Sequence, residues 1–283
     1  MRQLYKKSLA YPHLVWMTLF VVVPIVLVFA YSITMVPLEG ETYISAEHYK
    51  NFFDITYMRI FLNSLWIALI SSLYCVLLGY PAAMILANRD KQCIRAGKKT
   101  SGMLMLFVMP MWMNMMLRTY SWLTILEKNG LLNQLMRFFN LPDVNLLYTE
   151  GAVILGMIYD FLPFMILPIY SVLVKIDDSL TEAAQDLGAN WFRVFTRVTF
   201  PLSIPGIISG FTMVFLPAVT TFYISNIFGG GKVILIGNVI QERFLVADDW
   251  NFGSAMSIVM MVLVFISMKI MNLFEKRGGN PSK

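Results

Sequence analysis

Six long apolar runs, separated by more polar segments, dominate the hydrophobic pattern of the chain. Five of these runs carry no charged residue, and the run from Gly151 to Val174 carries one, Asp160. A bilayer core of about 30 Å requires about 20 apolar residues in helical form, and lipid-exposed backbone groups must be hydrogen-bonded within their own segment. The pattern therefore predicts six transmembrane helices, at about 14–36, 61–87, 100–125, 151–174, 200–226 and 250–272.

The composition agrees with an all-α membrane protein. Of the 283 residues, 58% are hydrophobic and 14% are charged, whereas a soluble domain carries about 25% charged residues. We expect a single transmembrane domain over residues 1–283. Arg2, Lys6 and Lys7 precede the first apolar run as in a signal peptide. That run is longer than the usual stretch of about 7–15 residues, which favours an uncleaved first helix.

The basic residues are distributed unequally between the two sides of the predicted bundle. If the N-terminus is cytoplasmic, fifteen of the 22 Lys and Arg residues fall on the inner side. The positive-inside rule favours this orientation, and six crossings then make the C-terminus cytoplasmic too. The outer loops lean acidic, which suits them to attract cations or to receive a partner protein. The basic segment RDKQCIRAGKK (89–99) lies between two predicted spans, so it indicates an inner loop rather than nucleic-acid binding.

The sequence has no pattern typical of an enzyme active site or a metal site. Cys75 and Cys93 lack neighbouring cysteine or histidine residues at ligand spacing. AGKKT (96–100) lacks the earlier glycine of a phosphate-binding loop, and His13 and His48 are remote from each other in the sequence. We therefore expect no catalytic residue, no metal and no cofactor bound by this chain.

A polar segment separates the fourth and fifth predicted spans on the inner side. Ser179 and Glu182 have the spacing of a capping box, which predicts a helix that begins at Ser179. Gly188 suits the left-handed residue that ends such a helix, and a second helix is predicted for 190–199, ending before Pro201. Two short helices with a sharp bend suit docking into a groove on a second protein. A loop helix that lies on its own bundle would show the same pattern.

The same segment contains the most specific motif of the sequence. EAAQDLG (182–188), followed after nine residues by VTFP (198–201), resembles the EAA motif, E-A-A-x3-G-x9-I-x-L-P, of permease subunits of binding-protein-dependent ABC importers. The matching residues are Glu182, Ala183, Ala184, Gly188 and Pro201, and Val198 and Phe200 replace the usual Ile and Leu. The resemblance implies a type I ABC importer permease fold. In it, segment 179–200 would be a cytoplasmic coupling helix that sits in a cleft of the ATPase subunit.

Further stretches resemble the spermidine/putrescine permease subgroup. They are LLGYPAAMILA (77–87), LRTYSWLTIL (117–126), LPFMILPIYSVLVKID (162–177), and GNVIQERF with DWNFGSA (237–255), where the subgroup often has proline in place of Asn251. The resemblance implies import of polyamines into a bacterial cytoplasm by alternating access in the cell membrane. It also implies partners: a second homologous permease subunit, two ATP-binding subunits that hold ATP and Mg, an extracellular or periplasmic polyamine-binding protein, and membrane lipid.

Asp160 is a carboxylate well inside a predicted span, and an ionisable group in a membrane helix is a candidate functional site. Polyamines are cationic, so a carboxylate beside an aromatic face such as that of Tyr159 would suit their path. Asp160 could instead form an ion pair with Arg118, which lies toward the outer end of the third predicted span. Because the third and fourth predicted spans run antiparallel, the two side chains could lie at a similar depth. Asp160 is therefore either a structural partner of Arg118, which we favour, or a direct contact of the polyamine.

The segment KNGLLNQLMRFFNLPD (128–143) follows the third predicted span and has apolar residues at helical spacing. These are Leu131, Leu132, Leu135, Met136 and Phe139. The spacing predicts a short amphipathic helix on the outer surface.

Other functions are compatible with six spans. An ABC importer permease for another small solute, such as a metal complex, an oxyanion or an organophosphonate, would share the fold, because function depends on the site. An ATP-independent secondary carrier usually shows inverted repeats and several buried charges. This sequence shows no visible repeat and one carboxylate well inside a span. A structural membrane scaffold would transport nothing. The chain itself is not predicted to be an enzyme, since ATP hydrolysis is expected in a separate subunit.

Overall fold

The computed structural model describes residues 11–35, 43–98 and 102–278, which are helical over most of their length. The helices are α1 (Tyr11–Met17), α2 (Val23–Ile33), α3 (Glu47–Phe52), α4 (Ile55–Arg95), α5 (Met103–Val108), α6 (Met115–Leu126), α7 (Leu131–Phe138), α8 (Glu150–Lys175), α9 (Asp178–Asp186), α10 (Trp191–Val194), α11 (Phe200–Thr220), α12 (Tyr223–Gly229), α13 (Ile236–Leu245) and α14 (Trp250–Gly278). Two short strands, β1 (Thr34–Met35) and β2 (Tyr43–Ile44), pair antiparallel. The chain forms two compact units, Met1–Ile60 with Val239–Val264 and Phe61–Asn238 with Phe265–Lys283.

In the first unit, Asn251 connects the start of α14 to the end of α2. Its side-chain amide donates hydrogen bonds to the backbone carbonyls of Thr34 at 2.7 Å and Tyr31 at 3.0 Å. The last carbonyls of a helix have no intrahelical partner, and Asn251 supplies hydrogen bonds to two of them. A proline at this position could not do so, because its side chain has no hydrogen-bond donor. Asn251 also lies in the first turn of its helix, where proline is tolerated. The departure from the subgroup sequence therefore leaves the helix start unchanged.

Two apolar helices contain a π-helical turn just before a proline. Thr18–Val22 precedes Pro24, and Phe195–Thr199 precedes Pro201. Proline lacks an N–H and its ring collides with the carbonyl four residues earlier, and a π-turn widens the helix at that point. The predicted helix end before Pro201 is consequently wrong, because Trp191–Thr220 is one continuous helix of 30 residues.

In the second unit, α8 packs closely against α11 through two glycines four residues apart. A Cβ atom on Gly206 would lie 3.0 Å from the Pro168 carbonyl oxygen, and one on Gly210 would lie 2.8 Å from the Met165 sulfur. Small residues at this spacing let membrane helices approach closely. The core of the unit lies around these helices, where Met165, Ile169 and Val214 are fully buried.

The third predicted span, 100–125, is interrupted. α5 continues as a 3-10 turn over Met109–Trp112, Met113 is extended with ψ of 147°, and α6 begins after Asn114. The Asn114 side chain caps α6 by accepting a hydrogen bond from the Met116 N–H at 2.8 Å. Short polar side chains favour such cap positions, which is a local signal that the apolar run concealed. Residues 99–101 lie outside the described part of the chain.

Among the described residues, five helices are long and apolar enough to cross a membrane, and Met103–Trp112 is a shorter apolar helix. The bounds of these five are Pro12–Ile33, Ile55–Arg95, Glu150–Lys175, Trp191–Thr220 and Trp250–Phe274. The second is 41 residues long and extends beyond the predicted residue 87 by two turns. The first ends at Ile33, and predicted residue 36 lies outside the described residues. The fifth predicted span is divided at Thr220 between α11 and α12.

Candidate functional site

The segment that resembles the coupling helix starts directly after α8. α9 begins at Asp178, and Asp177 caps it by accepting a hydrogen bond from the Ser179 backbone N–H at 2.9 Å. The predicted helix start at Ser179 is therefore wrong by one residue, because α9 begins at Asp178 and the Asp177 carboxylate occupies the cap. The same backbone N–H holds the pKa of the Asp177 carboxyl below its usual range.

The bend of the segment is at Gly188, which has a left-handed φ of +79°. Its N–H donates a hydrogen bond to the Gln185 carbonyl at 2.8 Å and so closes the end of α9. Asn190 then caps α10, because its side-chain oxygen accepts a hydrogen bond from the Arg193 N–H at 2.9 Å. The local sequence thus builds two helices with a fixed corner between them.

The corner displays apolar side chains that the chain itself leaves uncovered. Leu187 is 89% exposed, Trp191 is 66% exposed and Phe192 is 64% exposed. Ala183 and Glu182 of the motif are exposed on α9 as well. Contiguous exposed apolar side chains mark sites of contact with a protein or a membrane. This apolar patch is one component of the candidate site.

An ionic network connects α9 to the end of α4. The Lys91 ammonium lies 2.9 Å from Asp178 Oδ1 and also donates a hydrogen bond to the Ile176 carbonyl at 2.6 Å. The Arg95 guanidinium lies 2.8 Å from both the Asp178 and the Glu182 carboxylates. The hydrogen bond from Lys91, together with the charges of Lys91 and Arg95, holds the pKa of Asp178 below its usual range.

Two further contacts join α4 to neighbouring helices close to this network. The Tyr170 hydroxyl on α8 donates a hydrogen bond to the buried Asp90 carboxylate. The Tyr80 hydroxyl lies 2.9 Å from the Ser203 hydroxyl on α11. α4 is therefore bonded to α8, α9 and α11 through polar side chains.

A second polar cluster lies within the helices. Arg118 Nη2 on α6 lies 3.2 Å from Asp160 Oδ1 on α8, and the two side chains are 7% and 2% exposed. The Thr119 hydroxyl lies 3.5 Å from the other Asp160 oxygen. The Arg118 guanidinium is 6.0 Å from the centre of the Tyr159 ring, which packs on Trp122. The structure thus brings together all three of the residues Arg118, Tyr159 and Asp160.

This cluster retains unused hydrogen-bonding capacity. Among the described residues, Arg118 Nε and Nη1, Asp160 Oδ1 and the Tyr223 hydroxyl are buried without a hydrogen-bond partner. Nearly all buried polar atoms in proteins have a partner, so such atoms indicate a role for water, ligand or another chain. Chemically, the carboxylate and the aromatic rings suit a cation, and the two free guanidinium nitrogens suit an acceptor oxygen.

Sequence reasoning missed Lys91, Arg95 and Asp178 as parts of the site. These residues carry a signal that could have been found, because Lys91 and Arg95 are four residues apart, and so are Asp178 and Glu182. Residues four apart lie on one face of a helix, so a pair of basic residues on one helix can face a pair of acidic residues on another.

Comparisons with known proteins identify the family of the chain. Residues 3–278 match the family described as binding-protein-dependent transport system inner membrane component. The chain is 39% identical over 273 residues, 93% of its length and 92% of the relative, to the spermidine/putrescine transport system permease protein PotB of Haemophilus influenzae. It is 36% identical over 261 residues, 90% of its length and 92% of the relative, to PotB of Escherichia coli K12.

A solved structure supports the fold. The chain superimposes on a chain of a bacterial alginate ABC transporter, in complex with an alginate pentasaccharide-bound periplasmic protein, with a TM-score of 0.79 and 17% identity. The match covers 100% of this chain and 97% of that one. The family match spans nearly all of the sequence, and the fold is that of a type I ABC importer permease. The chain is therefore a multi-pass membrane protein that belongs to the family of binding-protein-dependent transport system inner membrane components.

Proposed function

We propose that this chain is a permease subunit of an ATP-driven importer that moves polyamines such as spermidine and putrescine into the cytoplasm. The assignment of polyamines as the cargo rests on the 39% identity to a spermidine/putrescine permease over 93% of the chain. The importer would contain a second homologous permease subunit, two ATP-binding subunits with their ATP and Mg, and an outer polyamine-binding protein. This chain would supply part of the membrane path and no catalytic group.

The proposed coupling element is the two-helix segment at α9 and α10. Leu187, Trp191 and Phe192 would enter a cleft of the ATP-binding subunit, because burial of exposed apolar side chains favours association. Ala183 would let the partner approach closely. The exposure of these side chains at a corner fixed by Gly188 supports this role. Closure of the ATP-binding subunits would move α9, and the ionic network would carry the movement to α4.

For Asp160 we propose a structural role with Arg118 in this conformation. Its carboxylate is 2% exposed and lies beside a guanidinium, so a cation from solution would first have to displace Arg118. A second role, direct contact with the polyamine during transport, is supported by Asp160 Oδ1, which pairs with Arg118 but accepts no hydrogen bond, and by the nearby Tyr159 ring. In either role Asp160 would require a positive group nearby, since an unpaired charge within the membrane is costly.

The experiment that tests the function is spermidine uptake into proteoliposomes that hold the complete transporter with its binding protein. ATP is placed in the compartment that faces the ATP-binding subunits, and the control lacks ATP. We expect ATP-dependent uptake that is lost when Glu182 and Gly188 are replaced, while Gln185→Ala, an exposed change on the same helix, leaves uptake near normal.

Other outcomes of this experiment separate the alternative functions. ATP hydrolysis stimulated by the binding protein without spermidine uptake would keep the importer and contradict the polyamine cargo, in favour of another small solute. Uptake by this chain alone in the absence of ATP would contradict the importer and indicate a secondary carrier. No transport and no stimulated hydrolysis in an assembled complex would indicate a structural scaffold.

A further inference from the structure

The short helix α7 exposes its apolar face and uses its polar face internally. Leu131, Leu135, Phe138 and Phe139 lie on one side of the helix and are 57% to 79% exposed. Asn133 on the opposite side is fully buried. A surface helix of a soluble protein has the reverse arrangement, with its apolar stripe toward the core. The exposed side of α7 therefore faces surroundings other than water.

The polar face of α7 is bonded to the flanking chain at two points. The Asn133 side chain accepts a hydrogen bond from the Val144 N–H at 2.8 Å and donates one to the Glu127 carbonyl at 3.3 Å. The Arg137 guanidinium makes two hydrogen bonds to the Asp143 carboxylate, at 2.9 and 2.8 Å. These bonds fix the rotation of the helix about its axis. The apolar face is consequently held outward and cannot turn inward by a simple roll.

The chain connections place α7 at the end of membrane-crossing helices. α6 ends at Leu126 and α7 begins at Leu131, so five residue steps of at most about 18 Å separate them. Gly130 makes the return tight, because a Cβ atom there would overlap the carbonyl oxygens of Thr124 and Ile125. α8 enters the membrane at Glu150, and its other end leads to the coupling segment. α7 thus lies on the side of the membrane opposite α9.

We propose that α7 lies in the headgroup region of the bilayer, with the face formed by Leu131, Leu135, Phe138 and Phe139 inserted into the acyl-chain boundary. An amphipathic helix inserts its apolar face about 5–10 Å deep at such a position. The neighbouring helix α6 also exposes apolar side chains, among them Met116 and Leu117. It offers no charged or hydrogen-bonding side chain that a protein partner would need for register. Lipid is therefore the occupant that the geometry favours.

This inference rests on the membrane location of the chain and is independent of the polyamine cargo. The function of α7 would be to hold the end of the third predicted span. That span is interrupted before Asn114 and is divided into the two short helices α5 and α6. An interfacial helix attached to α6 would fix the depth of α6, and with it the depth of Arg118.

The test uses spin labels on the assembled transporter in lipid nanodiscs. Single cysteines are introduced by Leu135→Cys and Phe138→Cys, with Cys75, Cys93 and the cysteines of the partner subunits replaced, and uptake is checked for each variant. Collision of the label with oxygen, which concentrates in lipid, is compared with collision with a water-soluble nickel complex. Gln134→Cys is the matched control, since Gln134 is exposed on the polar edge of the same helix.

Labels at positions 135 and 138 are expected to collide severalfold more with oxygen than with nickel, and the label at 134 is expected to show the opposite preference. A nickel preference at all three positions would overturn the proposal, because the face would then contact water. Protection from both reagents at 135 and 138 would also overturn it, because a subunit or the binding protein would then cover the face.

Discussion

Two of the arginine–carboxylate contacts in the second unit use the same chemistry in opposite surroundings. Arg118 on the short helix α6 is 7% exposed, and Asp160 is 2% exposed on α8, which is long and apolar enough to cross a membrane. Arg95 is 56% exposed, and its partners Asp178 and Glu182 are 31% and 62% exposed. Water and salt screen the second contact but not the first. Opening the buried pair therefore costs more free energy than opening the exposed network.

The two contacts therefore suit different roles. A buried pair that loses one partner leaves an uncompensated charge, so it suits a fixed structural role. An exposed network contributes little to stability, so it suits a connection that must follow a moving partner. The five predictions below follow from this contrast and from the corner at Gly188, ordered from the largest expected effect to the smallest.

Asp160→Asn should destabilise the transporter strongly. The change keeps the shape of the side chain but leaves Arg118 buried without a counter-ion, and breaking a buried pair costs about 3–5 kcal/mol. Thermal unfolding and size-exclusion chromatography of the complex measure the loss. The double variant Arg118→Met with Asp160→Leu should recover much of it, because neither charge is then present. Asp143→Asn, which breaks an exposed ion pair with Arg137, is the control and should unfold near normally.

The opposite result for Asp160→Asn would be equally informative. If the complex assembles and unfolds as the natural protein does while its apparent affinity for spermidine falls, then Asp160 contacts the polyamine directly. Such a result would remove the contrast between a fixed buried pair and a movable exposed network.

Gly188→Ala should weaken coupling at a moderate cost. An L-residue with a left-handed φ of +79° is strained by roughly 1–2 kcal/mol, and the strain acts on the corner between α9 and α10. Binding-protein-stimulated ATP hydrolysis should fall while assembly persists. Gly188→Asn is the conservative control, since asparagine tolerates this conformation better, and it should retain more stimulation than alanine. Equal stimulation in both variants would show that the corner angle does not matter.

Arg95→Gln should change stability by about 1 kcal/mol or less, because the broken contacts are exposed. It should nevertheless lower the amount of spermidine taken up per ATP hydrolysed, since α9 loses a connection to α4. Both rates are measured in the same proteoliposomes. Lys98→Gln, an exposed change beyond the end of α4, is the control. An unchanged ratio in Arg95→Gln would show that α9 moves α4 by another contact.

Salt should have a small effect and should act on the exposed network alone. At physiological ionic strength charges are screened beyond about 8 Å, and added salt shortens this distance. Higher salt should therefore lower the amount of spermidine taken up per ATP slightly. The contribution of the buried Arg118–Asp160 pair to the unfolding temperature should stay unchanged. A matching loss of thermal stability with salt would contradict the contrast.

The pH dependence of the network follows from the direction of one pKa shift. The pKa of Asp178 is held below its usual value of about 3.9 by Lys91 and Arg95. A carboxyl with a lowered pKa stabilises the folded state above the unfolded pKa, and this contribution is lost as pH falls through the folded pKa. Between about pH 6 and about pH 8 the Asp178 carboxyl stays ionised, so its full contribution to stability is present. Titration of Asp178 should therefore not change the amount of spermidine taken up per ATP in this range.

Much of the fold followed from local pattern. Long apolar runs indicated helices that cross a membrane, and the spacing around Leu131 and Leu135 indicated α7, which the structure has as a helix. Gly188 indicated the corner, and the EAA-like motif indicated the family. These features depend on residues within a few turns of one another, which the order of residues determines directly.

The local pattern failed where the backbone had alternatives of similar cost. Asp177 and Ser179 are both good cap residues, and the carboxylate took the position. Pro201 suggested a helix end, but a π-turn accommodated it. The apolar run at 100–125 concealed a break, because hydropathy does not record the cap at Asn114.

The sequence by itself determined that the protein is a helical membrane permease with a bent polar segment between the apolar runs at 151–174 and 200–226. Only the tertiary structure decided which charges meet. Arg95 and Glu182 are 87 positions apart in the sequence, and their contact requires two helices to arrive at the same place. The same holds for the outward rotation of α7 and for the burial of Arg118 beside Asp160. Contacts of this kind depend on packing, which no single stretch of the chain encodes.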